Sequence, residues 1–176
     1  MRHLKSNFVT LRSINENIMK KFKTEIKWGI LFTLAQLAWM FLEKALGWHD
    51  THIAKHAIYT NFFAIIAVAI FVFALLEKRN KDLNGKMTWT QGFVSGIVIS
   101  VVVAILAPLA QYLTHEFITP NFFKNAIEHA VNTVGMTPEN AEAWFNFNSY
   151  VIQSTFGALA MGVVTAAIVA LFVRKK

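Results

Sequence analysis

The sequence contains no cysteine and little charge. Without cysteine the chain can form no disulfide bond and offers no thiolate as a nucleophile or metal ligand. Charged residues make up 15% of the chain, whereas soluble domains carry about 25%. Hydrophobic residues make up 55%. This composition is typical of a membrane protein.

Motifs that mark common enzymes and pumps are also missing. The 176 residues contain no phosphate-binding glycine loop, no nucleophile elbow and no H-E-x-x-H zinc signature. No apolar segment carries the series of carboxylates expected of a proton pump. We therefore expect no cofactor, and a non-enzymatic protein is favoured over an enzyme.

Four long apolar runs dominate what is present. A helix needs about 20 apolar residues to cross a bilayer, and the runs are continuously apolar, which indicates helices and not strands. We expect an all-α, polytopic membrane protein whose four-helix membrane domain covers residues 28–174. The four expected transmembrane helices are residues 28–46, 58–76, 92–113 and 150–173.

Positive charge is distributed unevenly among the connecting segments. The N-terminal segment 1–27 holds seven Lys and Arg residues, the connection after the second run four, and the C-terminal tail three. The remaining connections hold three, namely Lys44, Lys55 and Lys124. By the positive-inside rule, both termini are predicted to be cytoplasmic. The net charge of +7 is thus a topology signal, and we expect no nucleic-acid partner.

The two segments outside the apolar runs differ in character. Residues 1–18 are polar and weakly periodic, so they form either a flexible arm or an extended start before Met19. Residues 114–149 contain two helix-start signals, each a Thr-Pro pair. They predict an amphipathic helix over 120–134 and a second helix that begins near Pro138 and runs into the fourth span.

Three stretches of the sequence resemble a known family. They read WMFLEKALGWHDTHI, LAPLAQYLTHEFITPNFF and NAEAWFNFNSYVIQSTFGALAMG, in this order. They are similar to the bacterial membrane family called domain of unknown function 4199, over roughly residues 19–174. The resemblance implies a four-span membrane protein without a known activity. It marks positions where a site would lie: Glu43, Gly47, His49, Asp50, Pro120 and Gln153.

Polar residues near the outer ends of the helices form a candidate site. An ionisable residue inside an apolar span, such as Glu43, is costly and suggests a function. If the helix faces converge, they form a polar pocket open to the outside; otherwise the same side chains join helices by hydrogen bonds. The candidate pocket residues are Glu43, His49, Asp50, Gln111, His115 and Gln153.

A metal site is a second hypothesis for the same region. His49, His52 and His56 would share one face of a helix, and imidazoles together with carboxylates bind first-row metals. Gly47 weakens the case, because it favours a break in the helix.

Small residues at four-residue spacing predict close helix packing, either within the bundle or between copies. These residues are Gly92, Gly96, Ala158, Gly162 and Ala166. Pro108 predicts a kink in the third span.

The leading functional hypothesis is a structural or accessory component of the bacterial inner membrane, which the resemblance implies, that acts through helix contacts with itself or other proteins in the lipid bilayer. The alternatives are a small transporter or ligand or ion sensor with an outward-facing pocket, and a metal-dependent membrane enzyme.

Overall fold

A computed structural model describes residues 21–176; the expected flexible arm or extended start, residues 1–18, lies outside this range. The described chain is helical apart from its connections and one isolated bridge between Met87 and Lys175. The α-helices are α1 (Lys23–Ala45), α2 (Ile53–Tyr59), α3 (Phe63–Glu77), α4 (Trp89–Leu113), α5 (Phe122–His129), α6 (Pro138–Trp144) and α7 (Phe147–Val173).

Several helices are extended by turns of a different pitch. A 3₁₀ turn, Thr60–Phe62, joins α2 to α3 without interruption. Turns of π-helix follow α3, α4 and α5, at Lys78–Asp82, Thr114–Ile118 and Ala130–Val134. The second and third apolar runs therefore lie in helical rods that are longer than the sequence predicts.

Three helical rods in the described chain are long and apolar enough to cross a membrane: Ile53–Asp82, Trp89–Ile118 and Phe147–Val173. We expected four. Helix α1 lacks an apolar stretch of this length, because charged residues occupy both of its ends and shorten its apolar centre. These charged residues are Lys23, Glu25, Lys27, Glu43 and Lys44.

The outer surface of the rods is strongly apolar. Ile65 is 69% exposed, Ile105 is 71% exposed and Phe172 is 80% exposed. Apolar surface this extensive is unfavourable in water and marks a face that contacts lipid or protein. Together with the three rods, it identifies a membrane protein.

Helices α4 and α7 pack against each other through the small residues. A Cβ atom added to Gly96 would lie 2.3 Å from Ala166 Cβ, and one added to Gly162 would lie 2.1 Å from Ser100 Oγ. Gly92 faces Ala170 in the same way, at 3.0 Å. The small-residue stripe is therefore used inside the chain.

Two further expectations about helix geometry concern Pro108 and Ala158. Pro108 lies inside α4, which continues past it to Leu113. Ala158, on α7, is partly buried against the core.

The connections gather at two opposite ends of the bundle. At one end, called the lysine end, Lys78 Nζ lies 2.9 Å from Glu25 Oε1, Lys27 pairs with Glu77, and Arg79 donates to the carbonyl of Val173. The other end, called the histidine end, contains Glu43, His49, His56, His115 and the connection from α4 to α7. This grouping places the start of α1 and the end of α7 on the same side.

The α4–α7 connection follows the sequence signals in part. The expected helix over 120–134 is present as α5 and its π-helical turn, and it ends at Gly135, whose φ of +81° is easily adopted by glycine. The expected continuous helix from Pro138 is wrong. Helix α6 stops at Trp144, and Asn146 begins α7 by accepting a hydrogen bond from Ser149 N.

Candidate functional site

The site begins with Glu43, which lies in the last turn of α1 and is 0% exposed. The helix ends because Gly47 has a φ of +75°, a conformation that glycine adopts at little cost. The chain then reverses, so that His49 returns to the side chain of Glu43. The glycine that argued against one continuous helix is the residue that brings His49 into the site.

Two imidazoles converge on the same carboxylate oxygen. His49 Nε2 lies 2.9 Å from Glu43 Oε2, and His56 Nδ1 lies 3.0 Å from it. The indole of Trp39 donates a hydrogen bond to the other oxygen, Oε1. His49 is 1% exposed and His56 is 20% exposed, so the group is largely shielded from solvent.

Residues of the α4–α7 connection hold the two imidazoles in place. Phe122, at the start of α5, packs edge-on against both rings, with centroid distances of 5.2 Å to His49 and 5.0 Å to His56. Asn125 Nδ2 donates to the carbonyl oxygen of His49 at 2.9 Å. Asn125 and His49 are 76 residues apart in the sequence, so the orientation of the site depends on a distant segment of the chain.

A partly enclosed cavity of about 160 Å³ adjoins the imidazoles. Its lining brings together side chains from α1, α2, α4, α5 and α7. Those that can form hydrogen bonds are Gln36, His49, His56, Thr60, Gln111, Thr114, His115, Thr119 and Tyr150. His115 Nε2 lies 3.1 Å from Gln111 Oε1, while its Nδ1 atom is buried without a hydrogen-bond partner.

The structure brings together four of the six candidate pocket residues: Glu43, His49, Gln111 and His115. Asp50 lies apart, where it accepts a hydrogen bond from Lys44 at 2.9 Å that lowers its pKa below the usual 3.8. Gln153 is exposed on α7 and does not line the cavity.

The proposed histidine trio is divided in a similar way. His52 is exposed at the start of α2, because Gly47 places it outside the helix that would have aligned it with His49. Glu43 takes its place beside the other two histidines.

Several contributors could not be identified from the sequence. Phe122 and Asn125 carry no motif, and their roles follow from the fold of the α4–α7 connection over the end of α1. At the opposite end, Glu25 is 1% exposed and accepts a hydrogen bond from Ser95 Oγ at 2.8 Å. The burial of the Glu25 carboxylate could not be predicted either, because its partner, Lys78, is 53 residues away in the sequence.

Comparison with known proteins gives a family and no activity. No curated protein and no solved structure matches the chain. The family model described as "Protein of unknown function (DUF4199)" matches residues 27–175, nearly the whole chain. The match covers both the site and the helices that support it. The chain therefore belongs to the DUF4199 family.

Proposed function

We propose that this protein spans the bacterial inner membrane four times and binds a small ion or polar ligand from the outer side, as a sensor or transporter. The observation that carries the proposal is the burial of Glu43 beside two imidazoles and a polar cavity. A carboxylate in such a position costs free energy unless something compensates its charge. A bound ligand is a reason to retain it.

Helix α1 is the fourth span in this proposal. Its 23 residues extend about 35 Å, enough to cross a hydrocarbon core of about 30 Å. Its surface away from the bundle is apolar, with Leu34 55% exposed and Phe41 66% exposed. Two of the charged residues near its lysine end are paired, Glu25 with Lys78 and Lys27 with Glu77.

The positive-inside rule orients the bundle. The lysine end holds the basic connection after α3 and the C-terminal tail, and the histidine end holds few basic residues. The lysine end is therefore cytoplasmic in this proposal, together with both termini. The cavity then opens on the outer side.

The size of the cavity limits the ligand. Pockets for drug-sized molecules measure about 300–1,000 Å³. The cavity here, about 160 Å³, is about half the size of the smallest of these pockets. The site therefore suits an ion with part of its hydration shell, or a solute of a few heavy atoms.

The accessory hypothesis loses one of its two supports. It rested on the lack of catalytic motifs and on a small-residue stripe that other proteins could contact, whereas Gly96 and Gly162 face Ala166 and Ser100 of the same chain.

A ligand screen tests the proposal. The purified full chain in detergent is heated with inorganic ions and with small polar solutes, and a ligand raises the midpoint of unfolding. We expect one class of ion or solute to raise the unfolding midpoint of the native chain and to have no such effect on Glu43→Gln. Glu116→Gln, an exposed glutamate outside the cavity, is the matched control and should respond as the native chain does. If no ion or solute stabilises the chain, the proposal is wrong.

The absence of cysteine gives a clean test of topology. Single variants Thr133→Cys and Lys86→Cys place a thiol at the histidine and lysine ends, respectively, and both positions are exposed. In spheroplasts, a membrane-impermeant maleimide should label residue 133 directly and residue 86 only after permeabilisation. The reverse pattern would contradict the orientation.

A further inference from the structure

We infer that the ligand of this site is a divalent transition-metal ion, with Zn²⁺ as the best match, held by Glu43, His49 and His56. The inference rests on the proposed function and specifies its ligand. One donor atom from each residue lies within 4.8 Å of the other two. Two imidazole nitrogens and a carboxylate oxygen form a ligand set that binds zinc and leaves a fourth position open.

The spacing of the donor atoms fits a small ion. Zinc binds nitrogen and oxygen at about 2.0–2.2 Å, so neighbouring ligands of a tetrahedral site lie roughly 3.3 Å apart. The two distances from Glu43 Oε2 are 2.9 Å to His49 Nε2 and 3.0 Å to His56 Nδ1. A shift of a few tenths of an ångström would admit the ion.

Hydrogen bonding alone leaves the group incompletely satisfied. His56 Nδ1 is near Glu43 Oε2 but lacks the angle of a hydrogen bond, and it is a buried nitrogen without a partner. Buried polar atoms are rarely left unpaired, and coordination of an ion is one recognised way to satisfy them.

Charge supports the same conclusion. Within residues 21–176, no lysine or arginine forms an ion pair with Glu43, and nearby Lys44 pairs with Asp50. Two neutral imidazoles would leave the carboxylate charge uncompensated. A divalent cation both compensates this charge and uses the imidazole lone pairs.

The cavity supplies room for the remaining coordination positions. His115 lines the same cavity as His49 and His56, and its Nδ1 atom is buried without a hydrogen-bond partner. Phe122 contacts all three rings, with a centroid distance of 5.6 Å to His115. The fourth position can therefore hold water or an exchangeable ligand.

The direct test is metal binding by the purified full chain. After treatment with chelator and gel filtration, the chain is titrated with Zn²⁺ by calorimetry, and Co²⁺ is added as a spectroscopic probe. We expect about one Zn²⁺ per chain and the visible absorption of four-coordinate Co²⁺. Glu43→Gln and His56→Ala should each weaken binding at least tenfold, since loss of one ligand removes a bond to the metal.

His52→Ala is the matched control, because His52 lies in the same hairpin and is exposed outside the cluster. It should bind as the native chain does. All variants are first compared by gel filtration and unfolding midpoint without metal, and His56→Asn replaces His56→Ala if the latter fails to fold. Less than one tenth of a Zn²⁺ per chain, or binding unaffected by Glu43→Gln, would overturn the inference.

The outcome separates this inference from the proposed function. If Zn²⁺ and Co²⁺ do not bind, but another solute stabilises the native chain and not Glu43→Gln, the metal assignment fails and the ligand-binding pocket stands. If nothing stabilises the chain, both fail.

Discussion

Gly96 and Ala166 mark a close approach of α4 and α7, since a Cβ on residue 96 would lie 2.3 Å from Ala166 Cβ and 3.1 Å from its Cα. Carbon atoms that are not bonded require about 3.5–4.0 Å. Gly96→Ala therefore forces the two helices apart. We expect it to destabilise the fold by about 1–3 kcal/mol, the usual cost of overpacking, measured as unfolding by SDS titration from detergent micelles.

Gly157→Ala is the control for this variant. Gly157 also lies in a helix, α7, and a Cβ there would meet nothing within 4 Å. Alanine is favoured over glycine in a helix by roughly 0.5–1 kcal/mol, so this variant should be neutral or more stable. Equal effects at residues 96 and 157 would show that the close approach is absent.

The Glu25–Lys78 pair at the lysine end should be strongly coupled. Lys78→Met leaves the Glu25 carboxylate, 1% exposed, with Ser95 as its remaining side-chain partner. Breaking a buried ion pair on one side costs about 3–5 kcal/mol. The double variant Glu25→Gln/Lys78→Met removes the uncompensated charge and should recover most of that loss, as an SDS-titration double-mutant cycle would show.

Lys81→Met serves as the comparison for this cycle. Lys81 pairs with Glu77 at 3.1 Å, but its side chain is 72% exposed. Exposed pairs contribute about 0–1 kcal/mol, so its loss should be small. If Lys78→Met were as mild as Lys81→Met, the buried pair would not stabilise the fold.

Asn146 determines where α7 begins. Its side chain accepts from Ser149 N and donates to the carbonyl oxygens of Glu142 and Ala143. Asn146→Ala removes this cap and should destabilise the fold by roughly 0.5–2 kcal/mol. The measurement is the thermal midpoint in detergent.

Asn140→Ala gives the corresponding baseline. Asn140 lies in α6, and its side chain forms no hydrogen bond within the described chain. It should change the midpoint little. A loss at residue 140 as large as at residue 146 would argue that the segment is destabilised by any alanine substitution and that the cap has no special role.

The sequence predicted the parts of the molecule that depend on local signals. Apolar length predicted the helices, Gly135 the end of the connection helix, and basic residues the chain segments that share the lysine end. The break at Asn146 was missed, because an N-cap residue inside a helical pattern is visible only when its side-chain bonds are known.

The site was predicted only in part, because some of its residues carry local signals and others do not. Glu43 was notable as an ionisable residue in an apolar run, and His49 lies close to it in the sequence. The sequence predicted His52 beside His49 and His56, whereas the structure places Glu43 there. The reason is that the backbone reverses direction at Gly47. Phe122 and Asn125 reach the site through tertiary contacts that no local pattern encodes.

Asn125 provides the last test. It links the α4–α7 connection to the site through the His49 backbone, without contacting any of the three proposed metal-binding atoms. Its amide donates to the carbonyl of His49 at 2.9 Å. Asn125→Ala should cost about 1 kcal/mol of stability, the typical net value of such a hydrogen bond. It should also weaken Zn²⁺ binding severalfold, because the His49 backbone is then free to move. A saturating concentration of Zn²⁺ should restore most of the decrease in the unfolding midpoint.

Asn121→Ala is the matched control for Asn125→Ala. Asn121 precedes the same helix, α5, and its side chain does not cap it. Calorimetric Zn²⁺ titration of the two variants should give native affinity for residue 121 and reduced affinity for residue 125. If Asn125→Ala lowered stability but left affinity unchanged, Asn125 would only secure the connection, and the position of His49 would be set by Gly47 and Phe122 alone.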